Sequence, residues 1–365
     1  MAVESHPQSV SNPRQGALNL INDCIGVKAG QTLLIVCESP GAGCYEKSVC
    51  ETIAAEARSL GIDTSVLETR TASGPNDVPL VVSAAMQQVD HTLFLSRLGD
   101  QIRFSLTHGN GTKTIAYTRD LDYLGNEFGC TPWSLYKQVH DCLLEAILSS
   151  REYRITCALG SDLTGEVPAD SAEPALTSFT INYFPMVIYP PLNCLKLNGA
   201  LAFDRFLMTT SVNSFDNSVL LLDEPVLGFV ENNRLVDFAG PMALVDKVRD
   251  QYRRVGALSG GDAMAVHSWH AGIYPKTFYK GNVYDDVQLW GDLTFASPRY
   301  THFHTCGVAP GNIASATFDA TIAFDGVKFW DAGRLAFLDT PGMQSLLSQY
   351  PHCSDAFEMR WDIGL

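Results

Sequence analysis

The strongest constraint on the fold is the alternation of strand-like and helix-like segments between residues 18 and 158. The apolar run at 32–37 (TLLIVC) reads as a strand, and the stretch after it carries apolar residues at helical spacing until Gly61 ends it. The strand-like and helix-like segments that follow lie at 64–69, 78–88, 91–96, 112–118, 131–149 and 153–159. This order predicts an open α/β sheet.

The turn after the first predicted strand contains Gly41-Ala42-Gly43, which resembles part of a nucleotide-binding loop. A dinucleotide-binding loop needs a further glycine where this chain has Glu46, and no GK[ST] sequence is present to cradle a phosphate. Glycine turns after strands are common without any ligand. The residues therefore favour an ordinary turn over a nucleotide site.

The amino-acid composition of the chain changes near its middle. The segment 179–194 (FTINYFPMVIYPPLNC) holds too many prolines for a central strand or a helix. Beyond it, strand-like segments lead to a predicted hairpin turn at Glu231-Asn232-Asn233 and then to a predicted helix over 241–256. We expect two domains, an α/β domain at 1–190 and a β-rich α+β domain at 191–365.

The charge balance excludes general nucleic-acid binding, because 25 Lys and Arg face 40 Asp and Glu and leave a net charge of −15. An anionic bilayer would repel the chain for the same reason. No apolar stretch reaches the roughly 18 residues of a membrane span, and the first 16 residues (1–16) lack the apolar core of a signal peptide. We expect a cytoplasmic protein without nucleic-acid or membrane partners. Its ten cysteines include no CxxC pair, which favours buried free thiols.

Histidines concentrate in the second half of the chain. Four of the nine lie between 267 and 304, where an even distribution would place about one. His302 and His304 belong to a predicted strand, on which residues two apart point to the same face. His267 and His270 precede a glycine and a proline, at a strand end or loop where a third imidazole can enter.

This concentration favours a metal site. Three neutral imidazoles bind zinc or ferrous iron and leave positions open for water, O2 or substrate. The alternative is that paired histidines only hydrogen-bond inside a sheet. No glutamate lies between Glu231 and Glu358, so the usual bridging ligands of a dinuclear hydrolase are missing from this region. The carboxylates that remain there include Asp262, Asp285, Asp286 and Asp292.

A second polar cluster follows the predicted strand at 91–96. It contains Arg97, Asp100 and Arg103 and lies at the edge where α/β sheets bind ligands. An arginine there can bind a substrate carboxylate through two hydrogen bonds. The alternative is a surface ion pair between Asp100 and one of the arginines.

Four segments resemble, in the same order, segments of the aminopeptidase T type metallopeptidases and their relative 2,5-dihydroxypyridine 5,6-dioxygenase. They are NLINDCIGVKAGQTLLIVCE (19–38), LLLDEPVLGFVENNRLVDFAG (220–240), HSWHAGIYP (267–275) and THFHTCG (301–307). The resemblance covers nearly the whole chain. It implies an α/β first domain, a β-rich second domain that holds a metal, and a dimeric assembly.

The resemblance also implies where the metal binds. The peptidases use glutamates and a late His-x-Asp pair, whereas the dioxygenase uses two histidines and an aspartate around one ferrous ion. His302 matches the histidine of the His-x-Asp pair, and His304 stands where the aspartate would be. The earlier ligand maps to His267, with His270 as the alternative. The peptidase glutamates have no counterpart here.

We therefore expect a mononuclear non-haem Fe(II) oxygenase that uses O2 on a small, anionic, hydroxylated aromatic or heteroaromatic substrate. The assigned residues are His267, His302 and His304 for the metal, His270 and Asp286 for catalysis, and Arg97, Arg103 and Tyr300 for the substrate. Imidazole in place of a carboxylate raises the charge of the site by one, which favours an anionic substrate.

Two other functions compete with this one. A zinc hydrolase, most simply an aminopeptidase of the resembled family, would use the same three histidines. A non-catalytic relative that binds a small ligand is the other alternative. Zinc and manganese are the alternative metals, and the expected assembly is a homodimer.

Overall fold

The computed structural model describes residues 11–39, 44–70, 72–74, 76–103, 109, 111–168, 180–210 and 215–365. The Gly41-Ala42-Gly43 turn lies outside the described residues. None of the described helices is both long and apolar enough to cross a membrane.

The strands are β1 (Thr32–Glu38), β2 (Asp63–Thr69), β3 (His91–Leu95), β4 (Thr112–Ala116), β5 (Glu152–Thr156), β6 (Asp162–Glu166), β7 (Asn182–Phe184), β8 (Leu192–Asn193), β9 (Leu195–Phe203), β10 (Phe206–Thr209), β11 (Val219–Leu221), β12 (Val226–Glu231), β13 (Arg234–Ala239), β14 (Asp262–Ala271), β15 (Tyr300–Gly307), β16 (Ile313–Phe318), β17 (Thr321–Phe324) and β18 (Val327–Trp330).

The α-helices are α1 (Pro13–Leu18), α2 (Lys47–Ser59), α3 (Leu80–Met86), α4 (Leu98–Ile102), α5 (Leu121–Gly125), α6 (Glu127–Cys130), α7 (Trp133–Leu148), α8 (Met242–Ser259), α9 (Val287–Thr294) and α10 (Pro341–Leu347). A π-helical segment (Asn19–Ile25) follows α1, and short 3-10 helices cover Ala336–Asp339 and Pro351–Cys353.

The first sheet is parallel and has the order β2-β1-β3-β4-β7 among the described strands. Its central strands β1 and β3 are buried almost throughout, as continuous apolar runs of a covered parallel sheet should be. The chain leaves β1 first towards β2 and later towards β3, so the strand order reverses between β1 and β3. The proline-rich middle segment contributes the edge strand β7 to this sheet and the two-residue strand β8 outside it, and its prolines lie beyond both strands.

The second sheet is antiparallel and has the order β11-β10-β16-β15-β14-β13-β12-β9-β6-β5-β17-β18, with β8 also paired to β14. The predicted turn joins β12 to β13, and Asn232 and Asn233 adopt φ values of 45° and 66°. Two consecutive positive φ values are typical of a type I′ hairpin turn, which asparagine tolerates. A parallel sheet with helices followed by a β-rich part confirms the predicted fold class.

The chain passes between the two sheets more than once. The segment at 153–159 was expected in the first sheet, but β5 and β6 lie in the second sheet between β9 and β17. The burial of β5 gives the reason: Tyr153 and Ile155 are buried, whereas Glu152 and Arg154 are exposed, as in an antiparallel strand with one face towards solvent. Strand β7 then returns to the first sheet. Because β5 and β6 precede residue 190 and lie in the second sheet, a boundary at residue 190 does not separate the sheets.

One hydrophobic cluster joins the sheets. It runs from Val36 and Phe94 in the first sheet to Trp269 and Phe303 in the second, with Val139 of α7 among its members. The polar edge of one sheet and the histidine strands of the other are therefore held on a common core.

Candidate metal centre and its pocket

Strands β14 and β15 bring three histidines together. Their register places His270 opposite His302 and Ser268 opposite His304. Residues two apart on a strand share a face, so these side chains lie on the same side of the sheet. Strand β15 lies between β14 and β16, and all eight of its residues are buried.

The three imidazoles are close enough to share one ion. The Nε2 atoms of His270 and His302 lie 2.6 Å apart. The ring of His304 lies 5.1 Å from that of His270 and 5.0 Å from that of His302, centroid to centroid. One ring nitrogen from each histidine lies within 4.8 Å of the other two. In the described part of the chain this is the one group of three or more His, Cys, Asp or Glu side chains with such spacing.

Burial keeps these imidazoles neutral. It lowers the pKa of His270 to about 3 and holds the pKa values of His302 and His304 well below the ordinary value. The positive charge of Arg103 acts in the same direction on all three pKa values. Neutral imidazole is the form that ligates metal ions.

The surrounding hydrogen bonds fit a metal site. The Ser268 hydroxyl lies 3.0 Å from Nδ1 of His304, which leaves Nε2 of that ring for an ion. The buried Nδ1 atom of His302 has no hydrogen-bond partner among the described residues, whereas His270 forms a hydrogen bond with the backbone of Tyr189. A sheet interior built only to satisfy histidines would pair the His302 nitrogen as well. Three nitrogen donors without a carboxylate suit zinc or ferrous iron.

Two of the assigned residues lie elsewhere. The register of β14 against β15 shifts between Val266 and Ser268, and His267 falls at that shift. Its Nε2 lies 2.9 Å from the carbonyl oxygen of Gly307, so the structure groups His270, and not His267, with the other two histidines. Asp286 is exposed and accepts a hydrogen bond from the N–H of Leu289 as the N-cap of α9.

Of the three residues predicted to bind the substrate, two line the pocket beside the histidines and one does not. Arg103 lines the pocket beside the histidines and forms a 3.7 Å ion pair with Asp100, which is buried and not at the surface. Tyr300 also lines the pocket, and its ring stacks on His302 with centroids 4.8 Å apart. Arg97 pairs with Glu38 at 3.2 Å and is not among the pocket-lining residues.

The pocket has, with its open mouth, a volume of about 690 Å³, and three of its walls carry the charged and aromatic groups. The imidazoles form the first wall, and the carboxyl edge of the parallel sheet forms the second, with Asp100, Arg103 and Tyr117. Helix α9 and the residue after it form the third, with Gly291, Asp292 and Phe295. Open α/β sheets bind their ligands at this edge.

A polar network that the sequence did not reveal connects the parallel-sheet wall of the pocket to α9. The Tyr117 hydroxyl donates to Asp100 at 2.5 Å, and Arg119 donates to Asp292 at 2.7 Å. Burial raises the pKa of Asp100 above its ordinary value and the pKa of Asp292 to about 7. Tyr117 and Arg119 directly follow β4, and their place at a strand's carboxyl end was the available signal. Asp292 carried no signal beyond its being a carboxylate.

The fold is shared with two solved enzyme structures. The 2,5-dihydroxypyridine dioxygenase from Pseudomonas putida matches with a TM-score of 0.58 at 13% identity, over 91% of this chain and 97% of that chain. The aminopeptidase AmpT from Thermus thermophilus matches with a TM-score of 0.51 at 10% identity, over 87% of this chain and 96% of that chain. No family model and no curated protein sequence matches the chain. The two likenesses establish the fold, as the sequence resemblance predicted.

Proposed function

We propose that the protein is a mononuclear non-haem iron(II) oxygenase that acts with O2 on a small, anionic, hydroxylated aromatic or heteroaromatic substrate. The observation that carries the proposal is the cluster of three buried, neutral imidazoles in one wall of a pocket that also contains aromatic rings and an arginine. The fold shared with a dioxygenase is consistent with it.

In this proposal His270, His302 and His304 hold the ion through one nitrogen each, and Ser268 orients His304. Three neutral ligands leave the charge of a divalent ion uncompensated, so a negatively charged substrate oxygen binds favourably beside them. Ferrous iron, when bound, supplies the one-electron chemistry that allows O2 to react with an electron-rich ring.

The other walls suit a flat substrate. Tyr117 and Tyr183 are stacked with centroids 5.9 Å apart, and Phe295 meets Tyr117 edge-on at 5.0 Å. Such aromatic surfaces bind a planar ring by stacking and edge contacts. Arg103 places a positive charge in the same pocket, and we assign it to a carboxylate or second ring oxygen of the substrate.

Metal analysis followed by oxygen uptake tests the proposal. Protein purified without oxygen is expected to contain about one iron per chain. It is also expected to consume O2 with members of a panel of hydroxylated pyridines and phenols. Zinc-loaded protein that cleaves dipeptides efficiently, together with an iron form that consumes no O2 with the panel, would contradict it.

A zinc hydrolase is the second candidate. It is favoured by the same three imidazoles, because three histidines and a water form a common catalytic zinc site, and by the fold shared with AmpT. The described carboxylates of the pocket are Asp100 and Asp292, and neither belongs to the histidine group. A two-metal peptidase, which bridges its ions with carboxylates, therefore finds little support.

We also propose that the chain forms a homodimer, on the basis of the sequence resemblance alone. Light scattering of the purified protein is expected to give twice the chain mass, and a monomer would remove this part of the proposal without affecting the metal site.

A further inference from the structure

We infer that Asp292 is the acid–base group of this pocket and accepts the proton that a ring hydroxyl of the substrate loses on binding. The inference rests on the proposed function and extends it from the metal to the residue that manages the substrate's proton.

Helix α9 places Asp292 in the pocket that the histidines line. Trp290 on this helix packs edge-on against Tyr300 with ring centroids 5.1 Å apart, and Tyr300 in turn stacks on His302. Gly291 and Asp292 follow Trp290 and line the pocket. The carboxyl group therefore belongs to the same cavity as the imidazoles, on a helix that packs against β15.

Asp292 is the more available of the two carboxylates in the pocket. Asp100 is only 4% exposed, accepts a hydrogen bond from Tyr117 and pairs with Arg103. The side chain of Asp292 is 19% exposed, and among the described residues Arg119 alone donates a hydrogen bond to it, at Oδ2. A carboxylate has about four lone-pair sites, so it can accept a substrate hydroxyl as well.

The charged and titratable groups that interact with Asp292 come from β1, from the segment before α2 and from the carboxyl edge of the first sheet: Glu38, Cys44, Tyr45, Arg97, Asp100 and Arg119. Burial raises the pKa of Asp292 to about 7, and the negative charges of Asp100 and Glu38 add to that effect. Arg119 and Arg97 oppose it. The carboxyl group can therefore take up and return a proton near neutral pH.

The imidazoles are unsuited to this task. Their pKa values lie far below neutrality, and each commits one nitrogen to the proposed ion. The proton transfer itself is simple: the O–H bond of the substrate breaks, its electron pair stays on the substrate oxygen, and a new O–H bond forms on the Asp292 carboxylate. The substrate is left as the anion that the proposed divalent ion and Arg103 favour.

Calorimetry with catechol tests the inference without turnover. Catechol is titrated at pH 7.5 into protein loaded with zinc, in two buffers of different ionisation enthalpy, which gives the number of protons released per bound catechol. Asp292→Asn is expected to release about one proton more than the wild type, because the proton can no longer stay on residue 292. Asp292→Glu should restore the wild-type count. The control is Asp246→Asn, an exposed carboxylate on α8 outside the pocket, which should match the wild type.

The wild type provides a second measurement that needs no variant. At pH 5.5 Asp292 is already protonated, so more of the catechol proton should reach the buffer than at pH 8. The inference is overturned if wild type and Asp292→Asn release equal numbers of protons, or if the number that the wild type releases does not rise at low pH. In either case, zinc-dependent binding of catechol would still support the proposed function. Absent or zinc-independent catechol binding overturns the proposed function and this inference with it.

Discussion

At the scale of single residues, the proposed metal site depends on three of the four clustered histidines. We expect alanine at His270, His302 or His304 to remove bound metal, because each supplies one of three neutral nitrogen donors. His267→Ala should keep the metal, since its ring contacts the Gly307 carbonyl instead. Circular dichroism should show the fold retained, because the strands are part of a formed sheet.

The measurement is metal content per chain by elemental analysis after dialysis against a weak chelator. Loss of metal in His267→Ala but not in His270→Ala would reverse the assignment of the third ligand.

Asp292 should also make the stability of the protein depend on pH. Its folded pKa of about 7 lies above the unfolded value of roughly 3.9, so between these values the folded state binds more protons and stability falls as pH rises. Above pH 7 the carboxyl is ionised in both states and the effect is constant. Relative to wild type, Asp292→Asn should therefore gain about 2 kcal/mol of unfolding free energy between pH 5 and pH 7.

Urea unfolding of metal-free wild type and Asp292→Asn at both pH values measures this difference. Because the histidines are common to both proteins, their titration cancels in the comparison. Parallel stability profiles would mean that the folded pKa is not raised.

At the scale of the elements, the residue that follows β14 packs closely against the segment that follows α9. Gly272 follows β14, and an added Cβ there would lie 2.1 Å from the carbonyl carbon of Ala296, just beyond α9. Gly272→Ala must push these segments apart, and we expect it to cost about 3 kcal/mol or more. Gly342→Ala is the matched control, because nothing lies within 4 Å of its added Cβ in α10 and alanine favours a helix.

Urea unfolding at neutral pH, with metal content as a second readout, checks the Gly272 prediction. A Gly272→Ala protein as stable as Gly342→Ala would show that β14 and α9 adjust independently.

Strand periodicity explains which part of the site the sequence could predict. The same face for His302 and His304 follows from the two-residue repeat of β15 alone. Whether His267 or His270 joins the other two histidines depends on the irregular pairing within β14 and on the register of β14 against β15. Neither can be read from the local sequence pattern. Ser268 and His270 do alternate with Trp269 and Ala271, so a polar face containing His270 was visible in retrospect.

The elements of the fold also divide into those that local sequence signals predict and those that only tertiary packing defines. Strands β1 to β4 and helix α2 were predictable because continuous apolar runs and helical spacing are local signals. The transfer of β5 to the other sheet was not, because its partners β6, β9 and β17 are defined only by tertiary packing. The Arg119–Asp292 pair joins the edge of the first sheet to α9 across a long sequence separation, so no local sequence pattern could predict it.

At the scale of the whole molecule, the two expected domains are interlocked. Strands β5 and β6 lie inside the second sheet although they precede residue 190. A fragment of residues 191–365 lacks both strands, which removes one of the two partner strands of β9 and one of the two of β17, so we expect it to remain largely unfolded. Circular dichroism and limited proteolysis of the fragment, with the full chain as control, test this. A stable, protease-resistant fragment would support an independent second domain.

The interlocked sheet also affects the protein while the ribosome is still making it. Strand β5 ends at Thr156, and its outer neighbour β17 begins at Thr321. At typical synthesis rates of 5–20 residues per second, one side of β5 stays uncovered for on the order of ten seconds. An open strand edge is a template for pairing with a neighbouring nascent chain, so crowded polysomes are the setting in which this protein is most exposed to misassembly.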